Sequence, residues 1–422
     1  MVISNLYPPY YIGGYELGCR DVVDGLKERG YRLRVLTSSY GVKGREQDGE
    51  VYRWLKADFR QLGLSSLIHT KSLLQRDRDN WQMLKSLCHD YKPDLIYVFN
   101  LTHIFGFIPI SALAEGLRAP TIHLVSDIEQ LLFYDWDFKS IAQQSHWRLA
   151  GSQIGLVKTK FLKTFLLPAF KRRGFPLQPA KNDQPILTQF VSQYLQEVAL
   201  ALQGRRSNSS RIVHWGIQIG RYPYREKVNC PKRLLYVGQV ARHKGVHTAI
   251  HAIGKVIAFG QKGITLTIVG GSSDPAYGHY LRHLISSLGL ERSVQLADFT
   301  PREELPRLYQ EHDIFIFPSM WDEPFSIALL EALSSGLAVV GTATGGTPEV
   351  LQGEANSLLF QREDSQECAR QIQRLLEDAA LFERIRKNGR HTAEERFLFE
   401  DALDKIEGHF HQIARPHSTG AA

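Results

Sequence analysis

The sequence of 422 residues predicts an α/β protein built from two doubly wound domains. Its length is about twice that of one ordinary domain, so two hydrophobic cores are expected. Short apolar runs that end in glycine or polar residues alternate with segments whose apolar residues recur at helical spacing. The connections between them are short. Such alternation is typical of a parallel sheet that is covered by helices on both faces.

The second half of the chain shows this alternation most regularly. The sequence predicts strands at residues 233–238, 264–271, 294–299, 314–319 and 337–342. The helices predicted between them contain Val246, Ala249, Ile250, Ile253 and Ile257, then Leu281, Leu284, Ile285 and Leu288, then residues 304–312, and finally residues 326–336, which Gly336 closes. We assign residues 219–394 to this domain.

The first half follows the same alternation more loosely. Predicted strands cover residues 2–5, 31–38, 94–101, 120–127 and 211–217, a helix covers 15–29 and stops at Gly30, and a strand and a helix share 186–202. Residues 139–185 break the alternation and are interpreted as an insertion. The first domain is therefore expected at residues 1–218, with a central cleft between it and the second.

Composition limits the class of protein. The 51 basic and 44 acidic residues give a formal charge of +7, which suits an anionic partner. The basic residues are dispersed and form no nucleic-acid recognition motif, so a nucleic-acid role is not expected. The four cysteines lie far apart and have neither metal-site nor disulfide spacing, so free thiols and no bound metal are expected. They are Cys19, Cys88, Cys230 and Cys368.

The sequence shows neither a basic leader followed by an apolar run nor about 18 consecutive apolar residues, so we expect a cytoplasmic protein. One stretch leaves a membrane role open. Residues 158–173 contain six basic residues, no acidic residue and an apolar middle. The segment is either a solvated helix with its apolar side on the core or a peripheral contact with an anionic membrane surface.

Four groups in the second half follow predicted strands, and ligands bind at this edge of parallel sheets. Together the four groups supply cations, backbone NH donors and carboxylates. They are Gly238 with Arg242 and Lys244; Gly270 with Gly271; Glu323 with Pro324, Phe325, Ser326, Ile327 and Glu331; and Gly345 with Gly346 and Glu349. Any one of them alone is weak evidence, because a glycine pair after a strand is usually a turn.

Together these groups match a nucleoside diphosphate that carries a sugar. Arg242 and Lys244 supply cations for a diphosphate. Pro324 fits a helix start, so the backbone NH groups of residues 325–327 would face an anion. Carboxylates pair with neighbouring hydroxyls, so Glu331 is expected at the ribose diol and Glu323 at the sugar.

The second half resembles the donor domain of glycosyltransferase family 4, whose members have the GT-B fold and retain anomeric configuration. The resemblance runs from Leu234 to about Phe360 and is carried by EPFSIALLE at 323–331, HKG at 243–245 and GGTPEV at 345–350. In the first half, NLYPPYYIGGYE resembles the glycine loop beside the acceptor and the donor phosphates. This implies that Gly13 and Gly14 bind the donor. Residues 395–414 resemble the helix that crosses back to the first domain.

Three departures from the family pattern concern possible catalytic residues. Gln239 lies where many relatives have an arginine, and Arg242 is the candidate to supply that positive charge instead. Ser326 replaces a glycine and keeps the NH donors. Where the family has a His-Asp pair, this chain has Ser126 and Asp127. His123, three residues before Ser126, and Asp127 are the candidates for a catalytic role here. His103 is a further, weaker candidate.

The resemblance implies a retaining transferase that moves a hexose from a nucleotide diphosphate sugar to a sugar or lipid-linked acceptor. No cofactor is expected, because the nucleotide diphosphate sugar is a co-substrate. The catalytic candidates are Lys244, Arg242, Glu323, Asp127 and His123. The alternatives are a nucleotide-sugar-binding protein without transfer, and an epimerase or phosphorylase of the same fold. The sequence does not identify the base, the hexose or the acceptor.

Overall fold

The computed structural model describes residues 1–58, 67–105, 110–127, 130, 186–203, 209–228, 230–272 and 274–414. Its contacts divide the chain into two compact units. The first unit comprises Met1–Val191, Leu195–Val213 and Leu403–Ala422, and the second comprises Ser192–Tyr194 and His214–Ala402. The basic stretch 158–173 and the predicted insertion at 139–185 lie outside the described residues.

The first unit contains an eight-stranded sheet. The order is β3-β4-β2-β1-β5-β6-β7-β8, and all described pairs are parallel except β3 with β4. The strands are β1 Val2–Ser4, β2 Val35–Ser38, β3 Glu46–Asp48, β4 Val51–Leu55, β5 Ile96–Asn100, β6 Thr121–Val125, β7 Ile186–Phe190 and β8 Ser210–Ile212.

Helices flank the strands of this sheet in sequence. They are α1 Gly14–Glu28, α2 Leu67–Tyr91, α3 Ile110–Leu117 and α4 Gln193–Gln203. Helix α1 forms because Cys19, Val22, Val23 and Leu26 recur on one face and are all buried. The Glu16 carboxylate accepts the Gly13 backbone NH at 3.0 Å and so satisfies one free donor at the helix start. The chain then turns through Gly30, whose φ of 90° favours glycine.

The second unit contains a six-stranded sheet in the order β11-β10-β9-β12-β13-β14, with every described pair parallel. The strands are β9 Arg233–Val237, β10 Thr265–Val269, β11 Val294–Ala297, β12 Ile314–Phe317, β13 Ala338–Thr342 and β14 Ser357–Phe360. Its helices are α5 Val246–Ala258, α6 Pro275–Ser287, α7 Leu305–Gln310, α8 Ile327–Ser334, α9 Ser365–Glu377 and α10 Ala379–Arg396. The sheet confirms the predicted doubly wound domain.

A last helix, α11 Phe399–Ile413, ends the described chain. From Leu403 onward it belongs to the first unit, where His409 contacts Gln189 and the Phe410 ring packs edge-on against Tyr97. Among the described helices, none is long and apolar enough to cross a membrane.

Several predicted strand boundaries were wrong, because the pairing with the neighbouring strand begins or ends at other residues. The strand expected at 31–38 begins only at Val35, which pairs with Val2 at the start of β1. The strand expected at 211–217 ends at Ile212, because Ile217 instead exchanges backbone hydrogen bonds with Phe397 and Phe399. Strands β3, β4 and β14 and helices α2, α3, α9 and α10 were not predicted from the sequence.

Candidate functional site

Four loops meet at the carboxyl edge of the second sheet, as predicted. They follow β10, β9, β12 and β13, which are consecutive neighbours in that sheet. These loops contain the glycines, cations and carboxylates that the sequence singled out. The sheet order therefore brings groups that are up to about a hundred residues apart in sequence to one edge of one unit.

The centre of this edge is an ion pair between Lys244 and Glu323. The Lys244 Nζ lies 2.7 and 2.9 Å from the two carboxylate oxygens of Glu323. The Ser319 hydroxyl donates to Glu323 Oε1 at 2.6 Å. The Glu323 side chain is 7% exposed and that of Lys244 23% exposed. A nearly buried carboxylate is thus fully paired, while the cation keeps a solvent-facing side.

Backbone packing fixes Lys244 beside the loop after β12. Gly245 has a φ of 67°, and a Cβ atom there would lie 2.0 Å from the Pro318 carbonyl oxygen. The His243 carbonyl accepts the backbone NH groups of Met320 at 2.9 Å and Trp321 at 3.1 Å. Only glycine allows this approach, so residue 245 is needed for the position of the preceding lysine.

Gly345 and Gly346 serve the same purpose from the other side of Glu323. A Cβ at Gly345 would lie 2.4 Å from the Glu323 carbonyl oxygen, and one at Gly346 would lie 2.3 Å from that of Pro324. The Gly346 NH donates to the Glu323 carbonyl at 2.7 Å. The two predicted donor-binding glycines therefore hold the Glu323 backbone in place, and a direct contact with the donor stays a prediction.

Helix α8 starts later than predicted. Pro324 was expected at its first turn, but the helix begins at Ile327, because the Ser326 hydroxyl caps it by accepting the Leu329 NH at 3.4 Å. The NH groups of Phe325, Ser326 and Ile327 have no acceptor within the described part of the chain. Together with the helix dipole, they suit a negatively charged group.

Glu331 lies one turn inside α8 and is 4% exposed. Its Oε1 accepts the Tyr222 hydroxyl at 2.7 Å and its Oε2 accepts the Tyr309 hydroxyl at 2.9 Å. Both tyrosines are buried. Charge-assisted hydrogen bonds of this kind offset the desolvation of a buried carboxylate, which explains how the core tolerates Glu331.

Arg242 is exposed and lies over two tyrosine rings of α6. Its Cζ atom is 5.4 Å from the ring centroid of Tyr277 and 5.4 Å from that of Tyr280. Tyr277 contacts His247 Nδ1 through its hydroxyl at 2.8 Å, and burial raises the pKa of Tyr277 to about 12. No carboxylate among the residues that the structure places pairs with Arg242. Its charge is therefore oriented by aromatic faces.

Gly238 and Gly270 directly follow β9 and β10 and lie against each other. Their φ angles are 154° and 149°, and a Cβ at Gly270 would lie 1.8 Å from the Gly238 carbonyl oxygen. Gly271 is exposed with open space around its Cα. The close packing of these two turns accounts for glycine at positions 238 and 270. Gly271 is not packed in this way, so it leaves room for a ligand.

Glu349 binds protein groups of the second unit. Its carboxylate accepts the backbone NH groups of Gln193 at 2.9 Å and Tyr194 at 3.0 Å, and it lies 2.8 Å from His214 Nε2. Burial would raise the pKa of Glu349, but these hydrogen bonds outweigh it and bring the pKa below its usual value. The residue ends a short 3₁₀ turn, Thr347–Glu349, rather than starting an α-helix. Its predicted role in donor binding stays a prediction.

The remaining candidates lie in the first unit. Helix α1 begins at Gly14, and Gly13 directly precedes it. The Gly13 NH donates a hydrogen bond to the Glu16 carboxylate. His123 is 2% exposed inside β6, and burial lowers its pKa to about 3, so its imidazole is neutral at physiological pH. Its catalytic role, like that of Asp127, stays a prediction.

Strand β6 ends at Val125, so Ser126 and Asp127 follow the strand, although the sequence predicted a strand over residues 120–127. The Ser126 hydroxyl accepts the Gln130 side-chain amide at 3.1 Å. His103, the weaker candidate, has a φ of 68°, and burial lowers its pKa.

Ser319, Tyr222 and Tyr309 contact Glu323 and Glu331 but were not predicted from the sequence, and neither were Gln193, Tyr194 and His214, which contact Glu349. Ser319 closely follows β12, and its place at a strand end is a signal that could have identified it. Tyr222 and Tyr309 come from a linker and from a short helix, and no spacing in the sequence relates them to Glu331. Within the described residues, no cluster of three or more possible metal ligands is present.

Comparisons with known proteins show what this chain is similar to. Residues 224–392 match the family model described as Glycosyl transferases group 1. The chain is 22% identical over 417 residues to the uncharacterized glycosyltransferase MJ1607 of Methanocaldococcus jannaschii, an alignment that covers 94% of this chain and 93% of that protein. It is 33% identical over 163 residues to the D-inositol 3-phosphate glycosyltransferase of Corynebacterium jeikeium, covering 38% of this chain and 37% of that enzyme.

The fold is similar to that of Anabaena HepE, solved in complex with UDP-glucose. The TM-score is 0.66 at 19% sequence identity, and the alignment covers 97% of this chain and 98% of that one. The two parallel-sheet units thus have the GT-B fold expected from the sequence. The match to the group 1 glycosyl transferase model lies within the second unit.

Proposed function

We propose that this chain is a retaining glycosyltransferase that moves a hexose from a nucleoside diphosphate sugar to an acceptor hydroxyl. The observation that carries the proposal is the arrangement of Lys244, Glu323 and Ser319 beside the start of α8. It combines a solvent-facing cation, an oriented carboxylate and backbone NH groups that have no acceptor among the described residues, all at one sheet edge. The group 1 domain match at residues 224–392 supports the same reaction class.

In this proposal the diphosphate is bound by positive charge and NH groups. Lys244, Arg242 and the NH groups of residues 325–327 stabilise the charge that develops on the leaving diphosphate. The departing phosphate oxygen stays on the face of the sugar that the acceptor attacks, and it takes the acceptor proton. No protein nucleophile is needed, unlike in retaining glycosidases, where a carboxylate is the nucleophile. We propose that these groups act without a metal ion, so that EDTA leaves the rate unchanged.

The other end of the donor is assigned to the two carboxylates. Glu323 accepts hydrogen bonds from the hexose hydroxyls, and Glu331 accepts them from the ribose. Because HepE was solved with UDP-glucose, uridine diphosphate sugars are the first donors to test. In the first unit, Gly13 and Gly14 are assigned to donor binding, and Asp127 and His123 are assigned to catalysis.

A thermal-shift panel tests donor binding. The full-length protein is heated with UDP-, GDP- and ADP-sugars, because a ligand at a hundred times its dissociation constant stabilises the folded state by about 2.7 kcal/mol. A nucleotide sugar should raise the melting temperature. A panel without any shift would contradict the proposal.

Transfer itself is tested with the stabilising donor carrying a labelled sugar. Labelled product or slow hydrolysis supports a transferase. Tight donor binding without either supports a binding protein, and an epimerised donor or phosphate-dependent cleavage supports the other two alternatives. NMR of the anomeric carbon in the product then shows retention or inversion.

We also propose that the protein acts in the cytoplasm on a sugar or lipid-linked acceptor, in polysaccharide or glycolipid synthesis. The support is residues 158–173, with six basic residues and an apolar middle. Sedimentation with anionic vesicles at low salt tests the membrane contact. Vesicles of neutral lipid are the control, and absence of binding to both kinds would remove this part of the proposal.

A further inference from the structure

Glu349 holds the ring of His214 in one orientation. Its Oε2 lies 2.8 Å from His214 Nε2, and the carboxylate also accepts the backbone NH groups of Gln193 and Tyr194 at 2.9 and 3.0 Å. Burial would raise the pKa of Glu349, but these hydrogen bonds outweigh it and bring the pKa below its usual value. The carboxylate is therefore ionised at neutral pH and can only accept, so His214 Nε2 carries the proton of this hydrogen bond.

The face of the His214 ring lies against the ring of Phe325. The two centroids are 5.2 Å apart and the planes are inclined by 25°, which is a stacked arrangement. Phe397 packs against both rings, with centroid distances of 5.5 Å to His214 and 5.7 Å to Phe325. Phe325 is 8% exposed and Phe397 2% exposed. The phenyl ring of Phe325 is thus held by two other rings.

These contacts bear on the peptide group between Pro324 and Phe325. Its carbonyl end packs against Gly346, where a Cβ atom would lie 2.3 Å from the Pro324 carbonyl oxygen. Its other end leads to the Cα of Phe325, whose ring is held by His214 and Phe397. Because a peptide group is planar, fixing both ends also fixes the direction of the Phe325 NH. This NH has no acceptor among the described residues.

The place of the Phe325 NH in the loop indicates which part of the donor it would bind. Phe325 is two residues from Glu323, which the proposed function assigns to the hexose. The NH is therefore expected at the phosphate that carries the hexose, which is the second phosphate of the nucleotide.

We propose that His214, oriented by Glu349, is a positioning residue that fixes the Phe325 NH for the second phosphate of the donor. The inference rests on the proposed function, because it requires a nucleoside diphosphate at the start of α8. His214 acts through the Phe325 ring and touches no reacting atom, and Glu349 acts through His214.

The inference predicts weaker binding of the second phosphate when the imidazole is removed. In the wild type we expect a nucleoside diphosphate to bind at least about tenfold more tightly than its monophosphate, the scale for one hydrogen bond to a charged group. In His214→Ala the Phe325 ring loses a neighbour and its peptide can rotate, so this ratio should fall at least about threefold. His214→Phe keeps a ring against Phe325 and should keep most of the ratio.

Calorimetry on the full-length protein measures the dissociation constants of UDP, GDP and ADP and of the matching monophosphates. His312→Ala is the matched control. His312 is a hydrogen-bonded histidine of the same unit and is 8% exposed, but it lies two residues before the start of β12, at the opposite edge of the sheet. This variant should keep the wild-type ratio even if it melts at a lower temperature.

A double-mutant cycle tests the part assigned to Glu349. Glu349→Ala should lower the ratio about as much as His214→Ala does, and the double variant should lower it no further, because both changes free the same phenyl ring. Additive losses would show that Glu349 acts independently of His214 and would overturn this part.

The outcomes separate the inference from the proposed function. If the wild type binds none of the three diphosphates, the proposed function is wrong and the inference falls with it. If the wild type binds them no more tightly than the monophosphates, only the inference is overturned. The same holds if His214→Ala keeps the full ratio, if His214→Phe loses as much as His214→Ala, or if His312→Ala shows an equal fall.

A second variant decides the question if His214→Ala fails to fold. His214→Gln also removes the ring, but its amide can still donate to Glu349, and it is judged by the same threefold fall. If this variant also fails to fold, His214 maintains the core rather than the phosphate contact, and the inference is wrong.

Discussion

Glu323 and Glu331 are eight residues apart, and each is almost buried, yet they are stabilised in different ways. Glu323 pairs with a cation that still faces solvent, whereas Glu331 accepts neutral phenols inside the core. A ligand can therefore compete for Lys244 without leaving Glu323 unsatisfied, because Ser319 still donates to it. The two carboxylates are suited to different ends of one elongated ligand.

Replacing Lys244 with Ala should lower kcat/KM for transfer by on the order of a hundredfold, the scale for removing one preorganised electrostatic partner. Lys262→Ala is the control, because Lys262 is an exposed lysine of the same unit. Steady-state kinetics with the stabilising donor measure both variants. Unchanged kinetics for Lys244→Ala would remove this lysine from the site.

His123 should make the first unit sensitive to acid. Its folded pKa is about 3 and its unfolded pKa about 6.5, so below pH 6.5 only the unfolded state takes up the proton. Stability is then lost as the pH falls from 6.5 towards 3, with a slope approaching roughly 1.4 kcal/mol per pH unit.

Urea unfolding at pH 7 and pH 5 tests this. His123→Gln should lose less stability between the two values than the wild type does. His89→Gln, which changes an exposed histidine of α2, should lose as much as the wild type. An equal loss in all three proteins would contradict the assignment of this acid sensitivity to His123.

At the residue scale, the sequence predicted groups that lie next to strand ends or inside a known motif. Lys244 and Glu323 were predicted together, and they form an ion pair. The partners Tyr222 and Tyr309 were not predicted, because the contacts join residues 109 and 22 positions away from Glu331 through tertiary packing. Hydrophobic periodicity describes one element at a time and contains no information on such contacts.

At the scale of elements, the site depends on how closely loops approach each other. The turn after β13 packs against the peptide groups after β12, and the turn after β9 packs against the same loop through Gly245. The loop that contains Glu323 is thus held from two sides by glycines. Strands and helices were predicted well where apolar runs are pure, as in β9 to β13. Strand ends were predicted less well, because they depend on a neighbouring strand.

Gly346→Ala should therefore lower transfer activity at least about tenfold. The new methyl group would meet the Pro324 carbonyl oxygen at 2.3 Å and displace the backbone that carries Glu323. Activity is measured together with the melting temperature, so that loss of fold is separated from loss of geometry.

Gly408→Ala in α11 is the matched control, since among the described residues no atom outside its chain neighbours and the backbone of its own helix lies within 4 Å of the position that its Cβ would take. It should keep full activity and gain roughly 0.5–1 kcal/mol of stability from helix propensity. Wild-type activity in Gly346→Ala would show that the loop after β12 tolerates displacement.

At the scale of the whole molecule, each unit has its own sheet and its own core. The two doubly wound sheets were predictable, because alternating apolar runs specify parallel strands wherever they occur. The assignment of the last helix to the first unit was expected from the family resemblance alone, because hydrophobic periodicity does not show which core a helix joins. It depends on side chains such as Leu403, Ile406 and Phe410, which are buried in the first unit although they follow the second in sequence.

Ending the chain after Ala402 should destabilise the first unit. Burying each of Leu403, Ile406 and Phe410 contributes roughly 1.5–3 kcal/mol, so the loss should reach about 5 kcal/mol or more. Circular dichroism during heating measures it. A chain that ends after Ala414 is the control and should melt like the wild type. Equal melting of both truncated proteins would show that α11 contributes nothing to this core.

The position of α11 also bears on protein synthesis. A ribosome makes residues 1–213 first, yet it must translate all of residues 214–402 before the segment from Leu403 reaches the first unit. At about 5–20 residues per second, that interval lasts roughly 10–40 s. Until then Tyr97 lacks its contact with Phe410, and the nascent first unit exposes an apolar surface that is open to chaperones.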